Sequence, residues 1–260
     1  MDKDFVEEMP SQTLARALLL LEHFNSKHPE WGIRELSREL GISPASVHRL
    51  VKTFQTLGYL EQDDDTQRYS LGPKVMKLAG VYTHQNPLPS TASKVFENYA
   101  DQFEYNFYLG KLYRFEVVYL AVLDGRGPIK IAVEPGGVTA LHSTALGKAL
   151  LAFQDDGYIH EFLRQSDLHC YSPRSITDPE ELWKQLREIR EQGYAVNDGE
   201  HYAQVGAISV PVYDHTGHVT LATSLAYPRH LVHDGRIQLE NLVPLARKIA
   251  DEISYRSGQG

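Results

Sequence analysis

A chain of 260 residues is long enough for one large domain or two smaller ones, and 42% hydrophobic with 23% charged residues is the composition of an ordinary folded protein. The single cysteine, Cys170, excludes a disulfide framework and a cysteine-rich zinc site, and the acidic start together with the lack of any apolar run near the roughly 20 residues that span a bilayer points to a cytoplasmic protein outside the membrane. A net charge of −8 gives no bulk support to nucleic-acid binding, so local pattern has to carry any such function.

After Pro10 and Ser11 a leucine-rich helix reaches Phe24, with Leu14, Leu18 and Leu21 as one stripe and Leu19 and Leu20 widening it, which predicts packing on two sides. A break at residues 27–32 leads into "IRELSREL", a short helix with Ile33, Leu36 and Leu40 inward and Arg34 and Arg38 pointing away. Gly41 suits the positive φ of a tight turn, Ser43 is an N-cap and Pro44 fits the first helical position. A third helix therefore runs from here to Gly58. Its Val47, Leu50, Val51, Phe54 and Leu57 fall on one side. The other side carries Ala45, Arg49, Lys52 and Thr56, flanked by Ser46, His48 and Thr53, with no carboxylate from Ser43 to Thr56. "YLEQDDDTQRYSLG" then reads as strand, polar turn, strand. Three helices and a hairpin make a winged helix-turn-helix.

On that reading Ala45, Ser46, His48 and Arg49 reach base edges, Arg49 suiting a guanine and Ala45 a thymine methyl, while Lys52 and Thr53 meet phosphate. Arg34, Arg38 and the helix start at Ser43 add phosphate contacts, and Arg68 at the far end of the wing turn enters the minor groove or grips its rim. Asp63, Asp64 and Asp65 are repelled by phosphate, so they face away or the wing stands off the backbone. The plainer alternative is a three-helix packing module with a solvated basic face.

Residues 1–72 form this DNA-binding domain, 73–88 a linker helix and hinge around the proline-bearing "THQNPLP", and 89–260 a second domain. Within it a helix is expected at Ser90 to Asp101 and strands at "YNFYLG", "VVYLAVL" and "IKIAV". "STALGKALLAF" reads as a helix with Leu146 and Leu150 inward, followed by helices at 157–164 and over "TDPEELWKQLREIREQG". In the last of these Thr177 and Glu180 form a capping-box pattern and Gly193 the stop. "VGAISVPVY" and "VTLATSLAY" form a hairpin, and a closing helix runs from about Gly235 to Tyr255. This order predicts an α+β protein whose second domain is a GAF- or PAS-like α/β effector-binding unit, helices covering a curved antiparallel sheet.

No reaction is composed by these residues. The Gly-Lys pair of "STALGKALL" lacks the rest of a phosphate loop, no Gly-x-Ser-x-Gly occurs, and Cys170 beside His169 is an isolated pair. His215 with His218 and His230 with His233 sit in turns and strand ends without a zinc-protease motif, and read as exposed loop histidines. Neither metal nor cofactor is expected, nor an enzyme. A pocket is. His142, Ser143, Thr144 and Ala145 lie where a strand end meets a helix N-terminus, whose free amides and dipole favour a carboxylate. Ala207, Ser209, Thr223, Ser224 and Ala226 are small inner positions that leave room for a ligand or let a helix pack closely.

"IRELSRELGISPASVHRLVKTFQTLGYLEQ", "RYSLGPKVMKLA", "LHSTALGKALLAF" and "REQGYAVNDGEHYAQVGAISVPVYDHTGHV" follow in an order that resembles the IclR (isocitrate lyase regulator) family of bacterial transcription factors along nearly the whole chain. The resemblance implies a homodimer through the N-terminal domain and linker helix, commonly a homotetramer through the C-terminal domains, and a near-palindromic double-stranded operator. It also implies a small-molecule effector, often a carboxylic or aromatic acid. Members holding small keto-acids use an acid after the "GY" turn, matched by Asp198, and a serine on the last strand, matched by Ser224. They also use a cysteine and a second serine, whose positions are taken here by Ala207 and Ala226. The loss of two polar groups favours a larger or aromatic acid over glyoxylate or pyruvate. Repression is the default expectation because an activator also needs a polymerase contact; activation of a catabolic operon, or an enzyme acting on the bound molecule, are the alternatives.

Overall fold

A computed structural model describes residues 9–25, 27–100, 103–127, 130–131, 133–214 and 216–256, and the chain divides into two units, Met1–Gln85 and Asn86–Gly260. In the first unit α1 spans Gln12–Glu22, β1 Glu30–Trp31, α2 Ile33–Leu40, α3 Pro44–Leu57, β2 Leu60–Gln62, β3 Tyr69–Leu71 and α4 Lys74–Gln85. The turn into α3 forms as its residues require. Gly41 sits at φ 63°, where a side chain would strain the backbone, and the Ser43 hydroxyl accepts the Ser46 N–H at the start of α3.

Leu20, Phe24, Leu36, Val47, Val51, Leu60 and Tyr69 form the core of this unit. The expected stripes are narrower than their spacing suggests: Leu57, Leu14 and Leu18 are exposed, and α1 enters the core through Leu20 with Leu21 half-buried beside it. The wing also has a third strand. β1, read from sequence as part of a break, pairs antiparallel with β3, giving the order β1-β3-β2.

The second unit holds α5 (Leu88–Ala100), β4 (Asn106–Tyr113), β5 (Glu116–Leu123), β6 (Val138–Ala140), α6 (Ala145–Ala152), α7 (Asp156–Gln165), α8 (Pro179–Gln192), β7 (Ala195–Asp198), β8 (Val205–Tyr213), β9 (Val219–Pro228), α9 (His230–His233) and α10 (Leu239–Arg256). Its strands form one curved antiparallel sheet in the order β6-β5-β4-β9-β8-β7. Strand alternation sorts the side chains to two cores. Phe107, Leu109, Ile208, Val210 and Leu225 pack with α5 and α10, while Tyr108, Val117, Ala222 and Ala226 pack with α6, α7 and α8.

Three expectations fail locally. Lys130, Ile131 and Val133 of "IKIAV" lie outside any strand, the edge strand being β6, and Ile129 and Ala132 fall outside the described residues. Asp178 rather than Thr177 caps α8, accepting from Glu180 and Glu181 N–H, because Pro179 takes the first helical position and moves the cap one residue on. The closing helix starts at Leu239 rather than near Gly235, which has φ 70° beyond the short α9.

All eight residues of α6 are buried, Lys148 among them. The helix can lie this close to the sheet because residue 110 is glycine: a Cβ there would stand 2.5 Å from Leu146 Cδ2. Burial works against both charges of the Lys148–Glu200 pair, drawing the ammonium below its usual range and the carboxyl above it, and each partner opposes the shift of the other. Lys148 Nζ therefore donates to Glu200 Oε1 at 2.6 Å and to the Val196 carbonyl at 2.9 Å. Lys148→Met should cost about 3–5 kcal/mol in urea unfolding by leaving a buried carboxylate uncompensated, and adding Glu200→Gln should recover much of that loss. Equal losses for the single and double variants would show that the ion pair does not hold α6.

Candidate functional site

The carboxylate-free face of α3 stands out from the first unit. Ala45, His48, Arg49, Lys52 and Thr53 are exposed and Ser46 is half-buried, while Val47 and Val51 on the opposite side are fully buried. Arg49 makes one long contact, 3.5 Å to Ser46 Oγ, so its guanidinium is nearly uncommitted. Lys52 Nζ donates to two neutral amides, Gln55 and Gln62, at 2.9 Å each, and keeps its charge unpaired while steadying the wing. Thr53 Oγ1 donates to the Arg49 carbonyl at 2.8 Å. Ser43 Oγ is spent as the cap of α3. Arg34 and Arg38 are exposed on α2.

Arg68, read from sequence as a minor-groove or rim contact, has a partner within its own unit. Its guanidinium forms an ion pair with Glu35 at 2.7 Å and donates to the Glu30 carbonyl at 3.1 Å, tying the wing to α2. Glu35 also accepts the Gly32 N–H, and that bond together with Arg68 holds its carboxyl below the usual range. A contact between Arg68 and DNA would have to break this pair. The wing acids are accounted for in part by the turn itself: Asp63 accepts from Asp65 N–H and from the backbone and hydroxyl of Thr66, which lowers its pKa.

In the second unit a cavity lies between the sheet and the start of α6. Its floor is built by cross-strand rows. Asn197, Ala207 and Ala226 are successive partners on β7, β8 and β9, and Ser224 pairs with Tyr108 on β4. Tyr119, Ile131, Val205, His201 and Tyr202 complete the wall, with Thr144, Ala145 and Leu146 from the first turn of α6. Its volume is about 50 Å³. Among the described residues no Lys, Arg, Asp or Glu lines it. Burial, with a smaller contribution from His142, pushes His201 down to about 4, and burial pushes Tyr119 up to about 12, so both are neutral at physiological pH.

Of the positions expected at the effector site, Thr144, Ala145, Ala207, Ser224 and Ala226 line the cavity. Ser143 stands one step behind it, its Oγ 2.8 Å from His201 Nδ1. His142 is buried with Nε2 3.0 Å from the His169 carbonyl, and Ser209 donates to the Thr223 carbonyl; neither is in the wall. Asp198 is displaced by one step of strand alternation. It faces away from the cavity and holds Arg229 at 2.6 Å, Arg174 at 2.8 Å and His233 at 3.2 Å, while Asn197 takes the inward position. The inward sequence of β7, Ala195 then Asn197, carried this signal, since the two residues share a parity that Asp198 lacks.

Sequence reading also passed over Tyr108, Tyr119, Ile131, Asn197, His201, Tyr202 and Val205. Tyr108 shares its face with Gly110 under α6, and His201 and Tyr202 follow the Asn197 turn, so only the folded order brings them together. Among the described residues no three His, Cys, Asp or Glu side chains are grouped to hold a metal; His233 serves Asp198, and His215 lies outside the described residues. No helix among them is long and apolar enough to cross a membrane.

Residues 80–255 match the model of the bacterial transcriptional regulator IclR C-terminal domain and residues 13–64 that of the IclR helix-turn-helix domain. The transcriptional regulator KdgR of Escherichia coli is 30% identical over 228 residues, covering 87% of each chain. The crystal structure of an IclR transcriptional regulator from Alicyclobacillus acidocaldarius superposes with a TM-score of 0.82 at 27% identity, covering 96% of this chain and 100% of that one. An IclR homologue from Microbacterium hydrocarbonoxydans, solved in complex with 4-hydroxybenzoate, superposes with a TM-score of 0.82 at 24% identity over 95% and 100% of the two chains, a likeness of fold. The chain belongs to the IclR family of DNA-binding transcriptional regulators, and is a regulator rather than an enzyme.

Proposed function

We propose that this regulator is a repressor that docks α3 in the major groove of a near-palindromic operator, as a homodimer or homotetramer, and that a ring-bearing monocarboxylic acid in the cavity of the second unit modulates its grip. The observation that carries the ligand class is the first turn of α6 opening into an uncharged cavity walled by Tyr108 and Tyr119. The amides and dipole of that turn favour a carboxylate, and the two phenol rings, 5.6 Å apart, favour an aromatic body. Lys148, a cation that would suit any small anion, is consumed by Glu200.

A volume of about 50 Å³ holds a few waters at roughly 10–15 Å³ each, so a ring has to displace wall side chains as it enters. That displacement is what gives the ligand different affinities for two forms of the protein, without which it shifts nothing. In the first unit Arg49 supplies base readout and Lys52, Thr53, Arg34 and Arg38 supply phosphate contacts. Arg68, held by Glu35, positions the wing.

Thermal denaturation with millimolar acids tests the ligand class. Benzoate-type acids are expected to raise the midpoint by binding the folded form, and pyruvate and glyoxylate to leave it unchanged. Stabilisation by the two- and three-carbon keto-acids alone would overturn the aromatic reading.

For the docking face, Arg49→Ala should weaken operator binding by about 1–3 kcal/mol and relax one base step, and Lys52→Ala should weaken all sequences evenly and reduce the salt slope by about 1. Arg68→Ala should leave the salt slope unchanged and lower the melting temperature. A slope reduced by about 1 in Arg68→Ala would place that guanidinium on phosphate instead.

A further inference from the structure

Three polar side chains of the cavity wall are spent on the protein itself. Thr144 Oγ1 donates to the Ala140 carbonyl and accepts the Gly147 N–H, and Ser224 Oγ donates to the Ile208 carbonyl. Asn197 donates through Nδ2 to the Ser143 carbonyl and accepts the N–H groups of Gly199 and Glu200 through Oδ1. Tyr108 differs. The residue is 4% exposed, it lines the cavity, and its hydroxyl is buried with no partner at hydrogen-bond length. Burial, then the Tyr119 phenol and Asp124, push its pKa up, while the Asn106 side chain, approaching the hydroxyl without completing a hydrogen bond, offsets a little, so the group is a protonated donor at any physiological pH.

From this geometry we infer that Tyr108 is the specificity-determining residue of the effector site, its phenol donating to a hydroxyl or carbonyl oxygen on the ring of the acid. The inference rests on the ring-acid reading of the cavity and refines it to oxygenated ring acids. An unmet buried donor destabilises the free protein and is relieved only by a ligand that brings an acceptor to it. An analogue of the same shape without that oxygen leaves the donor unmet and binds less well. Discrimination between two acids that differ by one oxygen is therefore built into β4. Tyr119 also lines the cavity, but its hydroxyl is not among the buried groups left without a partner.

The test is a two-by-two titration by calorimetry on the full chain. Benzoate and its 3- and 4-hydroxy derivatives are titrated into the native protein and into Tyr108→Phe, with Tyr119→Phe as a control. The native protein and Tyr119→Phe should bind at least one hydroxybenzoate about tenfold more tightly than benzoate. In Tyr108→Phe that gap should close to within about threefold, with benzoate affinity nearly unchanged.

Thermal denaturation without ligand supplies the second readout. Tyr108→Phe should be no less stable than the native protein, since the lost hydroxyl makes no bond in it. A gap that survives in Tyr108→Phe, no gap in the native protein, or a marked loss of unliganded stability would each overturn the role of Tyr108. Benzoate binding equal to that of its hydroxy derivatives would remove this inference and leave the ring-acid reading standing. If none of the three acids bound, both would fall together.

Discussion

The second unit depends on one buried ion pair. α6 lies with every residue covered between the sheet and α8, and Lys148 on it has to meet a counter-charge inside the protein. Glu200 supplies it from the segment directly after β7. The pair joins the helix whose first turn makes one wall of the cavity to the segment whose His201 and Tyr202 make another. Ser172 and Ser175 bind the Gly199 and Glu200 carbonyls from outside, and Asn197 caps the same segment from below. A ligand bound between these walls, as proposed, would press on a frame closed by an ion pair of high desolvation cost, which favours a change between discrete arrangements over a gradual one.

The proposed DNA-reading face follows a different economy. The chain is acidic overall, and its attraction to DNA is concentrated by removing carboxylates from one helix face and spending those nearby on local structure. Glu35 closes the start of α2 and neutralises Arg68; Asp63 closes the wing turn. Among the described residues Arg49 and Lys52 are left unopposed by any carboxylate partner, on a helix whose other side is locked into the core by Val47 and Val51. Binding of this kind depends on a few cations and is correspondingly sensitive to salt.

Local rules were legible in the sequence wherever the deciding partner lay a few residues away. The Gly41 turn, the Ser43 cap, Pro44 and the end of α3 at Gly58 all form as read, as do the paired strands β8 and β9. Reading failed where a distant residue or a single step of register decided. The ion pair of Arg68 could not be read locally because Glu35, its partner, lies 33 residues earlier. Asp198 was placed in the pocket by its likeness to an acid in relatives, yet β7 turns it outward and presents Asn197. Tyr108 carried no mark at all, since a tyrosine in an apolar strand shows an unmet hydroxyl only after the cavity has been assembled around it.

The central claim is that one chain reads DNA with α3 and changes its grip when an acid fills the cavity beneath α6. Its most direct test is the affinity of the full chain for a labelled duplex from upstream of its own coding sequence, with and without a stabilising ring acid. The same titration is made on Ala226→Leu, which fills the cavity floor. The acid should change operator affinity by about 5- to 150-fold in the native protein and by less than about twofold in Ala226→Leu, the two proteins binding DNA alike without it. An acid that binds the protein and leaves its operator affinity unchanged, or a shift that persists with the cavity filled, would contradict the account.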